Sequence, residues 1–488
     1  MRASFGKIVL TPPDFLGGYL GRPLAGYTPA PQCRGKYDDI MAHAVLIEET
    51  FIGNVKKHML LVSLDYLKIP LLWTDYVKEK IEDEYQIHPN QVLLHAIHTH
   101  KSMDMCGEFV FGGNLQNTIK GIMVGAYHGD DKYKIWAAQQ IVKLVGQLLE
   151  SLRPAEVAWT KELVKDDLII NRRHPLRRSK GNMGVIAFRD SQSKELFGII
   201  ANYGAHPTTL ANFVDKLSAD YPGRVCYKIE ELSNGKVQAA FFTAPAGDLN
   251  PITTVGNDFE YLAKLPQDDL LAQKGDYDHT KRIGYRLGEI AFGAANEMDD
   301  VDFYDIVEFQ SFAKTFWVPM KDVTEYKAPF KLQQRLIYLI KRYVLFPVAL
   351  ILGDSEEPNF PGFAVKHKGI FRPSADINVY SQVFYIRWIC KKSKGEEVKK
   401  LAISGIPGEL FEDIADEIYE KTPEGPENTF IFQNANDWIS YLFPVKEYMT
   451  TGGYEPFASF SPVCGEYVKY AYFRLVKDVQ TDIVAGFY

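Results

Sequence analysis

His98 and His100 stand two residues apart at the end of an apolar run, Leu93-Leu94-His95-Ala96-Ile97-His98-Thr99-His100. In an extended segment residues i and i+2 share a face, which would set the two imidazoles side by side. Neutral imidazole suits zinc, so the pair is half of a metal centre. The competing reading is two histidines that end a strand and are satisfied by backbone carbonyls. His206 tips the balance, because it stands in Asn202-Tyr203-Gly204-Ala205-His206-Pro207-Thr208, where a second apolar segment (197–201) breaks. A zinc site draws three or four ligands from separate elements. One more carboxylate or phenolate would complete this one.

The elements that must position these residues alternate between strand and helix patterns. Strand-like runs cover 40–48 and 59–64, and a helix-like stretch follows at 76–85 before the histidine segment. A Gly-, Asn- and Asp-rich stretch at 107–131 reads as a long loop near the site. Helical spacing returns at 133–152, strands at 156–159, 184–189 and 196–201, a helix at 223–232, a buried strand at 237–243 and a helix at 280–298. This alternation predicts a mixed α/β fold of layered sheets flanked by helices. With no internal repeat and no low-complexity linker, residues 1–488 read as a single large domain carrying an apolar insertion at about 328–370.

Three further segments place polar residues just past apolar strands: Gly247-Asp248-Leu249-Asn250-Pro251, Pro407-Gly408-Glu409, and Asn436-Asp437-Trp438-Ile439-Ser440-Tyr441. Strand-end turns are where α/β proteins present site residues. Taken alone, Glu409 reads equally as a helix N-terminal charge and Tyr441 as a core or surface residue.

Composition removes other classes. Hydrophobic residues at 46% and charged residues at 24% are globular values, which excludes disorder. The net charge of −7 argues against a nucleic-acid groove. Five scattered cysteines, with no C-x-x-C, form neither a disulfide framework nor a cysteine zinc site. The N-terminus has no signal-peptide h-region, so a cytoplasmic location is expected. The segment 332–353 is interrupted by Lys341, Arg342 and Pro347, so it is either a buried helix broken at the proline or an interfacial segment making peripheral membrane contact.

In order and spacing, these pieces resemble the neutral, non-lysosomal ceramidase family. The resemblance runs through Thr11-Pro12-Pro13, Leu24-Ala25-Gly26-Tyr27, His98-Thr99-His100, Asn171-Arg172, Ala205-His206-Pro207-Thr208, Gly247-Asp248, Pro407-Gly408-Glu409, Asn436 through Tyr441, and Tyr454-Glu455. It implies a zinc amidase that splits the N-acyl bond of ceramide or a similar lipid amide. It further implies that His98, His206, Glu409 and Tyr441 hold the zinc while His100, Arg172 and Tyr454 line the reacting centre. Such a donor set leaves an open position for water. Asp65, after the 60–64 strand, could orient a histidine or simply end a strand.

Two departures stand out. The family has a serine near the Gly-Asp turn, where this chain has Asn250, and a small Ser-Gly-Pro-Gly-like loop, where this chain has Lys101-Ser102-Met103-Asp104. An amide cannot act as a nucleophile, so attack would fall to water, and the cationic Lys101 would change the pocket floor. Both changes also admit hydrolysis of a different amide or ester, or a catalytically silent lipid- or metabolite-binding homologue. The chain ends soon after Tyr454, so the resemblance implies a divergent member without the family's C-terminal β-sandwich.

Overall fold

The computed structural model describes residues 1–27, 30–50, 56–106, 131–166, 168–177, 179, 181–252, 277–319, 378–392, 397–450, 455–459 and 461–485. Tyr454, the insertion expected at about 328–370 with its apolar part 332–353, and almost all of the loop expected at 107–131 lie outside the described residues.

An eight-stranded sheet is built from β1 (Arg2–Val9), β2 (Met41–Thr50), β3 (Lys56–Leu64), β4 (Val92–Ala96), β5 (Arg153–Leu163), β6 (Asn182–Asp190), β7 (Leu196–Tyr203) and β8 (Gln238–Thr243). Its spatial order is β8-β7-β6-β5-β1-β2-β3-β4. A second sheet holds β9 (Asp305–Pro319), β10 (Asn378–Lys391), β11 (Val398–Gly405) and β12 (Thr429–Phe432), in that order.

Along β2 the side chains alternate between two different cores, as a period of two requires. Ala42, Ala44 and Leu46 pack under α1 (Leu71–Tyr85) and α2 (Asp131–Glu150), against Trp73, Val77, Ile141 and Val145. Val45 and Ile47 face the other way, into a core that the two sheets share with Phe188, Phe242, Phe384, Trp388 and Phe432. Strands buried on both faces lose polar alternation, which is why β2 and β3 read as near-continuous apolar runs. Two more helices, α3 (Asp220–Leu232) and α4 (Tyr277–Asn296), cover β6, β7 and β8 through Val225, Ile229, Ile283 and Leu287. The second sheet is covered by α5 (Glu412–Lys421) and α6 (Cys464–Ala485) through Ile414, Ile418, Val468 and Tyr472. The result is four layers, helices on sheet on sheet on helices, as the α/β pattern implied. Each fully buried Leu or Phe in the inner core contributes roughly 1.5–3 kcal/mol relative to exposure.

Within the two large sheets most described strands pair antiparallel, but three pairs run parallel: β3 with β4 (Leu64 opposite Ala96), β7 with β8 (Tyr203 opposite Thr243), and β11 with β12 (Gly405 opposite Phe432). Their C-terminal ends are stitched together. Thr243 donates from its backbone N–H to His95 Nε2 at 3.0 Å, and Gln433 N–H donates to the Thr243 carbonyl at 3.1 Å. Asn202 spans both sheets, donating to the carbonyls of Phe242 and Ile431. No described helix is long and apolar enough to cross a membrane.

Candidate metal centre

Five segments leave these stitched strand ends, and each carries a residue singled out by its sequence context. Past β4 come His98 and His100, past β7 His206, past β8 Asp248 and Asn250, past β11 Glu409, and past β12 Trp438 and Tyr441.

The two histidines of the His-x-His step are not gathered by strand periodicity, as an extended segment would have done. β4 ends at Ala96, and His98 adopts a left-handed backbone with φ of 74°. Its N–H is held by the Tyr66 carbonyl at 2.9 Å. A turn, not a strand, sets the rings of His98 and His100 edge-on at 5.1 Å between centroids. His206 joins them at 4.8 Å from His98 and 5.7 Å from His100. One ring nitrogen from each of the three lies within 4.8 Å of the others.

The ring nitrogens of His98 and His206 are assigned by their neighbours. His98 Nδ1 lies 2.7 Å from the Leu67 carbonyl and His206 Nδ1 lies 2.7 Å from the Ala246 carbonyl. A carbonyl only accepts, so both Nδ1 atoms carry the proton and both Nε2 atoms present lone pairs. Those lone pairs point at a carboxylate: Glu409 Oε2 is 3.3 Å from His98 Nε2 and 3.1 Å from His206 Nε2. Yet among the described residues His206 Nε2 and Glu409 Oε2, both fully enclosed, have no hydrogen-bond partner. Acceptors crowded together without a proton between them could hold a cation.

Burial, then Arg172, drops the His206 imidazole to about 4, so it is neutral at physiological pH. His100 is likewise lowered, by burial first and then by His98 and His206, and among the described residues neither of its ring nitrogens has a hydrogen-bond partner.

Tyr441 reaches the centre by register: the short strands Glu409–Leu410 and Tyr441–Leu442 pair parallel, placing Tyr441 opposite Glu409. Its ring stacks on His206 at 6.4 Å, with the Arg172 guanidinium 5.6 Å from its centroid. Arg172 is itself tightly held. It donates from Nη1 to Asn250 Oδ1 at 2.8 Å, from Nη2 to the Gly247 carbonyl at 2.6 Å, and from Nε to Glu455 at 2.8 Å. Asn250 therefore sits beside the centre, braced against Arg172. Asp248 is one step back, accepting from Asn171 and from the Glu412 N–H, and burial and Glu412 raise its carboxyl to about 7.

Two glycines are required by close approach. A Cβ on Gly247 would stand 2.4 Å from the Glu409 carbonyl oxygen, and one on Gly26 would stand 2.6 Å from His100 Cα. The Leu24-Ala25-Gly26-Tyr27 opening is thus wrapped around His100, with the Tyr27 ring 4.9 Å from the imidazole.

His98, His100, His206, Glu409, Tyr441, Arg172 and Asn250 are brought together. One expectation is corrected, and for Asp65 the strand-end alternative holds. Lys101 is not a cation on the pocket floor: it is wholly buried, with Nζ donating to the Val214 carbonyl at 2.7 Å. Asp65 accepts from the Met41 N–H at 2.8 Å, a strand-end role, while backbone carbonyls orient the histidines. Two contributors escaped sequence reasoning. Trp438 donates its indole N–H to Glu409 Oε1 at 2.9 Å. Gln433 accepts from both Ala246 N–H and Leu410 N–H at 3.0 Å, clamping the Gly-Asp turn to the Glu409 strand.

The sequence matches no family model, and no curated protein matches it. Solved structures do match. The neutral ceramidase from Pseudomonas aeruginosa aligns with a TM-score of 0.68 at 17% identity, over 98% of this chain and 74% of that one. A ceramidase complexed with C2 aligns with a TM-score of 0.67 at 18% identity, over 98% of this chain and 75% of that one. The chain has a ceramidase-like fold.

Proposed function

We propose, from that fold and from the convergence of His98, His206 and Glu409, that the chain is a zinc-dependent hydrolase of N-acyl amide bonds, with lipid amides of the ceramide kind as its substrate class. The observation that carries the reading is the pair of enclosed, hydrogen-bond-free atoms His206 Nε2 and Glu409 Oε2 at 3.1 Å. Two imidazoles and a carboxylate fit zinc, with Tyr441 the fourth ligand by its place opposite Glu409. Zinc held there would supply Lewis acidity, polarising the scissile carbonyl and lowering the pKa of water in the open position.

The remaining residues have separable tasks. His100, neutral and with both ring nitrogens uncommitted, takes a proton from the attacking water and delivers one to the leaving amine. Arg172 places a fixed positive charge beside His206 and Tyr441, where negative charge develops on the amide oxygen, a contribution of about 3 kcal/mol to the barrier when well placed. Asn250 holds the Arg172 fork in place and leaves the attack to water. Tyr454 is assigned to the reacting centre by the family resemblance.

Asn250 also supports a second reading, a lipid- or metabolite-binding homologue without turnover, because no nucleophilic hydroxyl occupies its position. Incubating zinc-loaded protein with a panel of N-acyl sphingoid bases, other N-acyl amides and esters separates the readings. Release of fatty acid from a ceramide, abolished in Glu409→Gln, supports the first. Turnover of only another amide or ester moves the substrate class, and zinc binding without any turnover leaves the binding homologue.

A further inference from the structure

Lys101 is 0% exposed, and burial pulls its ammonium from 10.5 down to about 7, with Asp220 and Asp215 acting in the opposite direction. Burying an ammonium is costly even with carboxylates acting on it from a distance, so its retention beside His100 calls for a reason other than stability. Its contacts supply one. Nζ donates to the Val214 carbonyl at 2.7 Å and lies 4.7 Å from the centroid of the Tyr27 ring, in cation–π range. The Tyr27 ring in turn stands 4.9 Å from the His100 imidazole, and its hydroxyl donates to the Leu210 carbonyl at 3.0 Å. The backbone on either side is tied to the same partner segment: Ser218 N–H donates to the Lys101 carbonyl at 3.0 Å and Thr99 Oγ1 donates to the Ser218 carbonyl at 2.8 Å. Both the His98-Thr99-His100 turn and the 210–218 segment that follows His206 are therefore closed by one side chain.

We propose that Lys101 is a positioning residue: it clasps the segment after His206 and presses Tyr27 onto His100, fixing the one imidazole of the centre that no hydrogen bond holds. His98 and His206 are each anchored by a carbonyl, whereas among the described residues both nitrogens of His100 are uncommitted. Its orientation rests on packing from Gly26, Tyr27 and the two other rings.

The kinetic part of the test rests on the hydrolase reading, and the spectroscopic part does not. Lys101→Met, Tyr27→Leu and the double variant are made in the full chain, and metal content, histidine-ring 15N–1H spectra and steady-state kinetics are compared. All three variants keep the wild-type metal content, because Lys101 touches none of His98, His206 and Glu409. Both single variants shift or broaden the His100 ring signals and leave those of the distant His43 and His174 in place. Against a hydrolysed substrate kcat falls about ten- to hundredfold at a KM within about twofold of wild type, as expected for a misaligned catalytic group. The double variant is no worse than the worse single one, since the two residues act through one contact. Unchanged His100 signals in both single variants, or additive losses in the double one, overturn the proposal. If wild-type protein turns nothing over, the hydrolase reading fails while the ring spectra still decide the clasp. If Lys101→Met does not fold, Tyr27→Leu carries the comparison alone.

Discussion

The indole of Trp438 donates to Glu409 Oε1 at 2.9 Å, which leaves the other oxygen, Oε2, facing His98 and His206. The Lys68 ammonium lies 3.5 Å from the centroid of the Trp438 ring. A carboxylate fixed at one oxygen cannot swing out of the ligand position with the other. Trp438→Phe keeps the ring and removes the N–H, and is expected to weaken zinc binding by about tenfold. Competition against a chromogenic chelator reads this directly, and unaltered affinity would show that Glu409 needs no such support.

Metal content is the most direct check on the centre. Protein expressed without added metal should carry about one zinc per chain, and His98→Ala and His206→Ala should each lose it. Elemental analysis of folded protein decides the matter, with circular dichroism to confirm the fold. Folded wild type that takes up no zinc would falsify the proposed centre.

Glu455 bridges two buried arginines, accepting from Arg172 Nε at 2.8 Å and from Arg173 Nη1 at 2.9 Å. Removing one partner of a buried ion pair strands the other, at a cost of roughly 3–5 kcal/mol. Glu455→Ala should therefore lower the denaturant midpoint substantially and reduce kcat, because Arg172 is released from one of its anchors. A stability loss below about 1 kcal/mol, the range of exposed pairs, would contradict the description of this pair as buried and essential.

His43 is buried under the Ala239 carbonyl, and burial, with Lys7 nearby, lowers its imidazole from 6.5 to about 4. The unfolded chain takes up a proton on this ring from about pH 6.5 downward, and the folded protein only near pH 4. Folding stability from this site is thus complete above pH 6.5 and drains away as pH falls towards 4, by roughly 3 kcal/mol in total. His43→Gln should flatten the acid limb of a plot of melting temperature against pH. Parallel limbs for variant and wild type would assign the acid sensitivity elsewhere.

The sequence made the proposed ligand residues legible for different reasons. The His-x-His step and the strand break at His206 carry local signals, and the structure joins them. Glu409 looked like a helix-start acid, and α5 does begin three residues later at Glu412, so local physics could not separate the two roles. Only the ordered resemblance across the chain singled it out. Trp438 and Gln433 were illegible because a hydrogen bond between distant segments leaves no mark on either one. The periodicity argument for His98 and His100 picked two residues whose rings the structure does bring together, but through the wrong geometry, since the left-handed turn at His98 carries no sequence signature in a non-glycine residue. The β9–β10 pair was missed because its two strands lie far apart in the chain, with no hairpin turn to announce them.

His98 and His206 follow strands of the eight-stranded sheet, whereas Glu409 and Tyr441 follow strands of the other. A cation bound by all of them is a rivet through the seam between the two sheets, and neither half of the molecule can hold it alone. Site assembly must then come late in folding, after the most distant parts of the chain have met. Stripping the ion should do more than silence chemistry: it should let the seam work loose, so that chelated protein melts earlier and exchanges the amide protons of the strand ends faster than those of the helical outer layers.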